Sequence, residues 1–160
     1  MSKKVHPKTR AIRCLEQHKI PFEVFSYAYE ERGGTQASSK ALGVDEHCVI
    51  KTLIMETNTK TALIVLMHGD CEVSTKQLAR ILKVKSVTPC TPQQANKHSG
   101  YVVGGTSPLG TRRSMDVYAE QTLFDLDHIY INGGQRGLLV RIDPQDLHKA
   151  LKVTPVQVGI

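Results

Sequence analysis

The chain has 160 residues, of which 40% are apolar and 22% are charged, and its formal net charge is +6. This composition is typical of a globular protein rather than a disordered one, and the length suits one domain over residues 1–160. No apolar run approaches the ~20 residues that a membrane-spanning helix needs. No apolar signal segment follows the basic N-terminus either. We therefore expect a cytoplasmic protein with no membrane partner.

The first half of the chain is predicted to alternate short helices and strands. Apolar residues at helical spacing predict a first helix, which Pro21 breaks, and Gly43 is placed to end a second helix. Two long runs of strand-forming residues separated by a four-residue turn indicate a hairpin. The predicted elements are a helix at 7–19, a strand at 22–27, a polar turn at 30–34, a helix at 36–42, and hairpin strands at 49–56 and 61–67 around the turn at 57–60.

The second half adds further strands and three helices. Ser74 and Gln77 have the spacing of a capping box and open a helix to residue 82. Pro144 after Asp143 is placed to start a final helix. The remaining predicted elements are strands at 86–88, 115–119, 128–132, 138–142 and 154–158, a helix at 91–97, a loop at 100–110 and a turn at 132–137. The pattern favours an α/β (α+β) fold with a mixed, curved central β-sheet surrounded by helices.

The cysteines do not indicate a disulfide framework or a metal site. They are scattered without a C-x-x-C pair, which favours reduced, partly buried thiols. Histidine and cysteine lie close together at 47–48 and at 68–71, but neither group has further ligands at a useful spacing. We therefore predict no metal and no cofactor. The four cysteines are Cys14, Cys48, Cys71 and Cys90.

Basic residues cluster at three places in the sequence. Positive patches attract polyanions such as nucleic acid, but they also serve solubility, and charge alone leaves both interpretations open. Aromatic residues are only 5% of the chain and tryptophan is absent, which disfavours a base-stacking platform. The clusters are Lys3, Lys4, Lys8 and Arg10; Lys76, Arg80, Lys83 and Lys85; and Arg112 with Arg113.

Lys51 interrupts an otherwise apolar strand. A period of two places it on the same side as Val49, Leu53 and Met55, and the opposite side is also mostly apolar. The strand is therefore predicted to be covered on both faces. Burying an unpaired ammonium group is costly, so Lys51 either extends to water along its aliphatic stem or holds an anion.

Residues 100–110 form a second break in the pattern, because they contain four glycines and a proline. Glycines allow the main chain to approach a ligand closely, and free N–H groups can stabilise an oxyanion. No Gly-Lys-Ser/Thr sequence follows, so this is not a phosphate-binding P-loop. Ser107 precedes Pro108 and Leu109, which excludes a nucleophile elbow. A purely structural loop remains the simpler interpretation of these residues by themselves.

Three segments in the same order carry a family resemblance: Val-Ile-Lys-Thr-Leu at 49–53, Ser-Gly-Tyr-Val-Val-Gly-Gly-Thr-Ser-Pro-Leu-Gly at 99–110, and Ile-Tyr-Ile-Asn-Gly-Gly-Gln-Arg-Gly-Leu at 129–138. Together they resemble the YbaK/EbsC family over nearly the whole chain. The resemblance implies a free-standing relative of the editing domain of bacterial prolyl-tRNA synthetase. Members hydrolyse the ester between a wrong amino acid and tRNA. One subgroup clears cysteine from proline tRNA, and others clear alanine, serine, threonine or related small residues.

The resemblance also implies roles for particular residues. Lys51 corresponds to the active-site lysine, which would meet the phosphate or ribose of the terminal adenosine. Gly104 and Pro108 are the ends of a G-x-x-x-P loop, of which a backbone N–H binds the substrate carbonyl. Gly105, Ser107 and Pro108 of that loop are implied substrate contacts.

The amino-acid pocket implied by the resemblance is lined by Tyr27 and Thr52, with Arg136 shaping or charging one wall. Two positions depart from the cysteine-clearing subgroup. An aromatic residue usually precedes the second helix there, where this chain has the pair 33–34, Gly-Gly, and an acidic residue usually follows the Arg-Gly-Leu turn, where this chain has Leu139. A serine, threonine or alanine specificity is therefore an open alternative. The implied partners are mischarged tRNA and, for some members, prolyl-tRNA synthetase.

No Ser-His-Asp or Cys-His arrangement stands out in the sequence, and an aminoacyl ester is already activated. We expect positioning and oxyanion stabilisation to supply the rate, with a water molecule or, for cysteine, the substrate thiol as nucleophile. Two alternatives remain: a non-catalytic RNA-binding module, and a general hydrolase of small esters or thioesters.

Overall fold

The computed structural model describes residues 6–160, so the predicted basic residues Lys3 and Lys4 lie outside the described part of the chain. The helices are α1 (Arg10–Gln17), α2 (Gly34–Leu42), α3 (Thr75–Leu82), α4 (Pro92–Ser99) and α5 (Leu147–Ala150). The strands are β1 (Glu23–Ser26), β2 (Ile50–Thr57), β3 (Ala62–His68), β4 (Val87–Pro89), β5 (Asp116–Glu120), β6 (Ile129–Asn132), β7 (Leu138–Ile142) and β8 (Val153–Val156).

The strands form two hydrogen-bonded sheets. The larger has the order β4-β2-β3-β5-β8, and the smaller has the order β1-β7-β6. β2 and β3 are the predicted antiparallel hairpin, whereas β3–β5 and β5–β8 are parallel pairs, so the predicted mixed sheet is confirmed. An isolated parallel bridge between Val49 and Tyr130 joins the two sheets.

The central hairpin is covered on both faces, as the sequence predicts. Ile54 and Ile64 belong to a core that includes α1 and the three-stranded sheet. Met55 and Val65, one residue along each strand, belong to a second core that includes α3. The alternation of side chains along a strand produces this division. A residue of β2 therefore faces one core or the other according to its position in the alternation.

Half of one edge of β2 is not paired with another strand. β4 pairs with β2 only over residues 55–57, and Cys90 N–H donates to the Ile54 carbonyl beyond them. Backbone groups alternate between the two edges of a strand. The N–H and C=O groups of Thr52 therefore point to the same edge as those of Ile54, away from β3. This edge is where the main cavity of the protein opens.

Several element boundaries differ from the sequence predictions. α1 starts at Arg10 because the Thr9 hydroxyl accepts a hydrogen bond from Ile12 N–H and caps the helix. The full reciprocal capping box lies at the start of α4, between Thr91 and Gln94. The predicted last helix is a 3₁₀ turn followed by the single turn of α5. In the described range, no helix combines the length and apolar character needed to cross a membrane.

Candidate active site

A cavity of about 860 Å³ lies along the unpaired edge of β2. Its floor is the strand segment 49–54, and the turn and first part of α2 form one wall. The end of β4 and the start of α4 form another wall, and the glycine-rich loop and the β6–β7 turn complete the lining. Of the residues predicted from sequence to act, the structure brings five to this cavity: Tyr27, Lys51, Thr52, Gly104 and Arg136.

Lys51 is partly buried in the floor of the cavity. Its ammonium group donates a hydrogen bond to the carbonyl oxygen of Cys71, at 2.6 Å. A carbonyl oxygen is a neutral acceptor, so it does not neutralise the positive charge of the ammonium group. The ammonium group has three N–H donors, so this bond leaves two of them. Within residues 6–160, Lys51 takes part in no ion pair. The side chain can therefore serve as the cationic group of an anion or hydroxyl site.

The side chain of Thr52 points to the face of β2 opposite to that of Lys51. Its hydroxyl oxygen is the one buried side-chain nitrogen or oxygen atom in the described part of the chain without a hydrogen-bond partner. Such groups are uncommon, because an unmade hydrogen bond in the interior costs about 1–3 kcal/mol. Tyr27 lines the same cavity, and burial raises the pKa of its phenol. Its hydroxyl is therefore neutral near pH 7.

Gly104 presents a bare stretch of main chain to the cavity. Its φ is +89°, in the left-handed region that favours glycine. A Cβ atom there would lie 2.7 Å from the hydroxyl oxygen of Tyr29 and 2.8 Å from Cε2 of the same ring. The Gly104 carbonyl accepts a hydrogen bond from Nδ2 of Asn132 at 2.9 Å. Among residues 6–160 the Gly104 N–H has no acceptor, so it is free to bind a ligand oxygen.

Arg136 fastens the glycine-rich loop to the opposite turn. Its Nε donates to the Val103 carbonyl at 2.9 Å, and its guanidinium carbon lies 4.9 Å from the centre of the Tyr29 ring. This is the distance of a cation–π contact. Arg136 is therefore held at the cavity wall by one contact to the loop, next to Gly104, and one contact to the Tyr29 ring.

The other three predicted loop residues do not line the cavity. Gly105, Ser107 and Pro108 are buried. Gly105 N–H donates to the Val102 carbonyl, and a Cβ on Gly105 would meet the main chain of Arg136. The Ser107 hydroxyl accepts a hydrogen bond from Leu109 N–H at 3.1 Å. These residues shape the loop, whereas Gly104 at its tip faces the cavity.

Tyr29 and Asn132 are cavity residues that sequence analysis did not select. Tyr29 is two residues from Tyr27, which places it on the same side of an extended segment. No local pattern distinguishes Asn132 from the rest of the predicted turn, because its partner is 28 residues away in sequence. The segment 33–34 lines the cavity without a side chain, and Tyr29 supplies an aromatic ring nearby. Leu139, only 4% exposed, adds an apolar wall.

Two groups of His, Cys and carboxylate side chains lie close enough together to be considered as metal sites. In the more buried group, His98 Nε2 and Glu56 Oε2 are 2.7 Å apart. Cys90 is the third member, and burial and then the nearby Glu56 raise the pKa of its thiol to about 11. The thiol is therefore protonated near neutral pH and a poor nucleophile, although it borders the cavity.

The second group combines the two His/Cys segments for which no metal was predicted. His47 Nδ1 lies 2.8 Å from Asp70 Oδ1, and Cys71 is adjacent. The His47 ring stacks on His68 with centroids 3.7 Å apart. The histidine–carboxylate hydrogen bond and this stacking account for the cluster, and we assign no metal to either group.

The cavity therefore brings together the Lys51 ammonium group, which has no ion-pair partner in residues 6–160, the Gly104 N–H and the unpaired hydroxyl of Thr52. Within residues 6–160, the lining contains no histidine. A neutral or cationic donor aimed at a carbonyl oxygen stabilises the negative charge that develops when the carbonyl is attacked. The arrangement suits a reaction in which the substrate is positioned and polarised while a small nucleophile attacks.

Comparison with known proteins identifies the family. The family model of the aminoacyl-tRNA editing domain matches residues 30–150. The chain is 27% identical over 144 residues to the "Putative Cys-tRNA(Pro)/Cys-tRNA(Cys) deacylase EbsC" of Enterococcus faecalis, covering 89% of this chain and 88% of that protein. It is 30% identical over 94 residues to the proline–tRNA ligase of Caldicellulosiruptor bescii, covering 59% of this chain but 16% of the ligase.

A solved structure shows the same fold. The crystal structure described as "a putative trans-editing enzyme for prolyl tRNA synthetase" superposes with a TM-score of 0.81 at 19% identity, covering 98% of this chain and all of the other. The segment 30–150, which the family model matches, includes Lys51, the glycine-rich loop and the β6–β7 turn. These elements also line the cavity. The chain belongs to the aminoacyl-tRNA editing domain family.

Proposed function

We propose that this protein hydrolyses the ester bond between a wrongly attached small amino acid and the 3′ end of tRNA, with cysteine on proline tRNA as the first candidate. The observation that carries the proposal is the occurrence of Lys51 and the free Gly104 N–H in the lining of one open cavity. The similarity to the deacylase-named protein of E. faecalis supports the same reaction. A cytoplasmic location follows from a role in translation.

In the proposed reaction, Lys51 binds the phosphate or ribose of the terminal adenosine and Gly104 N–H donates to the ester carbonyl. A water molecule attacks the carbonyl carbon and gives a tetrahedral intermediate, whose oxyanion is stabilised by that N–H. The bond from the carbon to the ribose oxygen then breaks, and the proton lost by water is returned to the ribose oxygen. The products are the free amino acid and tRNA with a free hydroxyl. For a cysteinyl ester, the substrate thiol can attack first: a C–S bond forms, the bond to the ribose oxygen breaks and that oxygen takes the thiol proton. The resulting four-membered thiolactone is then hydrolysed by water to free cysteine.

The candidate substrates are the esters of Cys, Ser, Thr and Ala. The apolar side chain of Leu139 in the lining favours an uncharged substrate side chain against that wall. One methylene is worth only about 1–3 kcal/mol in such a pocket, so the tRNA must add selectivity. Association with prolyl-tRNA synthetase is part of this proposal, because the ligase sequences carry a similar segment within a much longer chain.

The decisive experiment is a deacylation panel. Proline and alanine tRNAs charged with Cys, Ser, Thr or Ala are incubated with the protein, and the remaining aminoacyl-tRNA is measured over time against a no-enzyme control. Selective loss of one small amino acid supports the proposal and names the substrate. Binding of every tRNA without hydrolysis would instead indicate a non-catalytic RNA-binding module. Equal hydrolysis of simple amino-acid esters would indicate a general esterase.

Thr52 provides a further prediction in which stability and activity change in opposite directions. Thr52→Val keeps the shape of the side chain and removes the unpaired hydroxyl, so the free energy of unfolding should rise by about 1 kcal/mol. Deacylation should fall if that hydroxyl serves the substrate. Urea denaturation and the kcat/KM of deacylation are the measurements, with Thr52→Ser, which keeps the hydroxyl, as the matched control. A less stable Thr52→Val protein with full activity would contradict this assignment.

A further inference from the structure

The C-terminal end of α4 carries a cluster of exposed cations outside the cavity. Two of them flank Gly100: a Cβ there would lie 2.1 Å from Nη2 of Arg10 and 3.2 Å from Cβ of Arg112. Lys97 lies in the last turn of the helix, and Arg113 N–H donates to the His98 carbonyl. We define the α4 basic patch as Arg10, Lys97, Arg112 and Arg113, all of which are exposed.

These side chains are not needed to cap the helix. Cations near a helix C-terminus are favoured by the helix dipole, and this is the simplest alternative explanation for the patch. However, main-chain N–H groups of Arg112 and Arg113 already satisfy the Ser99 and His98 carbonyls. The guanidinium of Arg10 reaches the Ser99 carbonyl only at 3.5 Å, the limit of a hydrogen bond.

No acidic side chain neutralises the patch in the described part of the chain. The ion pairs found there involve other residues, and none includes a member of the α4 basic patch. Arg10 is held in place by its contact with the Tyr101 ring, at 5.3 Å from the centroid. The Nη1 atom of Arg113 lies 3.3 Å from Nδ1 of His98. The patch is thus a partly fixed group of positive charges without internal counterions.

The patch is connected to the cavity by α4 itself. Pro92 and Ala95, in the first part of this helix, line the cavity, whereas the patch surrounds its last residue, Ser99. At 1.5 Å per residue, the distance from Pro92 to Ser99 is about 10 Å along the axis. A stacked strand rises ~3.4 Å per nucleotide, so this distance corresponds to about three nucleotides.

We propose that the α4 basic patch binds the phosphates of the unpaired 3′ segment of tRNA, directly before the nucleotide whose aminoacyl group enters the cavity. The inference rests on the proposed function for the direction of the strand, but the phosphate contacts themselves do not require catalysis. Phosphate contacts position RNA without reading its sequence. The patch would therefore hold any tRNA end in register with the cavity.

The test measures binding of uncharged tRNA by fluorescence anisotropy over a series of salt concentrations. The variant Lys97→Gln/Arg112→Gln/Arg113→Gln is compared with Lys76→Gln/Arg80→Gln/Lys85→Gln, which loses the same charge from and near α3. Each contact between a basic side chain and a phosphate of single-stranded RNA contributes about 0.7 to the steepness of log affinity against log salt. The slope of log affinity against log salt should therefore be about 2 units less steep for the patch variant than for the wild type. Near 0.1 M salt, the patch variant should bind tRNA about 10- to 100-fold more weakly. The α3 variant should change affinity less than about threefold.

A tRNA that lacks its unpaired 3′ nucleotides gives the second readout. The difference between the wild type and the patch variant should disappear with this RNA, and its persistence would overturn the proposed position of the strand. Equal weakening by both triple variants would show diffuse attraction only and would also overturn the proposal. If binding depends on the patch but the deacylation panel shows no hydrolysis, the proposed function is rejected and the phosphate-binding role of the patch is kept. If the panel shows hydrolysis but binding does not depend on the patch, the proposed function is kept and the phosphate-binding role is rejected.

Discussion

Replacement of Lys51 by alanine should lower the kcat/KM of deacylation about 100- to 1,000-fold, the range observed when one preorganised donor is removed from an active site. Among the described residues, Lys51 is the only lysine in the lining of the cavity, and its charge has no carboxylate partner there. The fold should survive, because the only side-chain hydrogen bond that Lys51 makes in the described residues is the one to the Cys71 carbonyl, worth about 1 kcal/mol. Deacylation of mischarged tRNA and thermal unfolding are measured on the same preparation.

Two companion variants make the Lys51 result interpretable. Lys60→Ala removes an exposed lysine outside the cavity lining and should leave activity near that of the wild type. Lys51→Arg keeps the charge but replaces a compact ammonium by a planar fork, so partial activity is expected. Near-normal turnover by a folded Lys51→Ala protein would remove the lysine from the mechanism and leave Gly104 as the remaining candidate.

Substitution of Gly104 by alanine should also lower deacylation by about 100-fold or more, for a steric reason. The new Cβ would be placed under 3.0 Å from the Tyr29 ring, at a φ of +89° that alanine rarely adopts. Either the ring or the loop must move, and the Gly104 N–H would be displaced from the position proposed for binding the substrate carbonyl. Displacements of about 1 Å at a reacting group can cost about 100-fold in rate.

The double variant Gly104→Ala/Tyr29→Ala separates the two causes of that loss. Removing the ring removes the clash but not the backbone strain, so recovery of activity relative to Gly104→Ala would identify the clash as the main cause. Tyr29→Ala alone is the necessary reference, because it also removes the cation–π contact with Arg136. A fully active Gly104→Ala protein would show that the N–H of this loop does not bind the reacting carbonyl.

The sequence predicted most of the secondary structure because those signals are local. Side-chain alternation identified the β2–β3 hairpin and its two covered faces, and Gly43 ends α2 in the left-handed conformation that its position indicated. Predictions were least accurate at element ends. The sequence predicts the first helix from residue 7, whereas the Thr9 cap starts it at Arg10. It predicts one final helix, whereas the chain forms a 3₁₀ turn followed by a single α-helical turn.

In the glycine-rich loop, the role of each residue depends on contacts with segments outside the loop. The sequence indicated that residues 100–110 form a shaped loop, but it could not distinguish the residue that faces the cavity from those that hold the loop together. In the structure, Gly104 is exposed at the tip, whereas Gly105 and Ser107 are buried and hydrogen-bonded within the loop. This choice depends on Tyr29, Asn132 and segments distant in the chain.

By itself, the sequence determined the order of helices and strands, the unusual lysine in an apolar strand, the glycine-rich loop and the family resemblance. These are properties of neighbouring residues and of short motifs in a fixed order. Only the tertiary structure decided three features of residues 6–160: half an edge of β2 is unpaired, the Gly104 N–H has no acceptor, and Arg10 and Arg112 both flank Gly100 at the end of α4. Such features arise from contacts between residues far apart in the chain, and no periodicity or spacing encodes them.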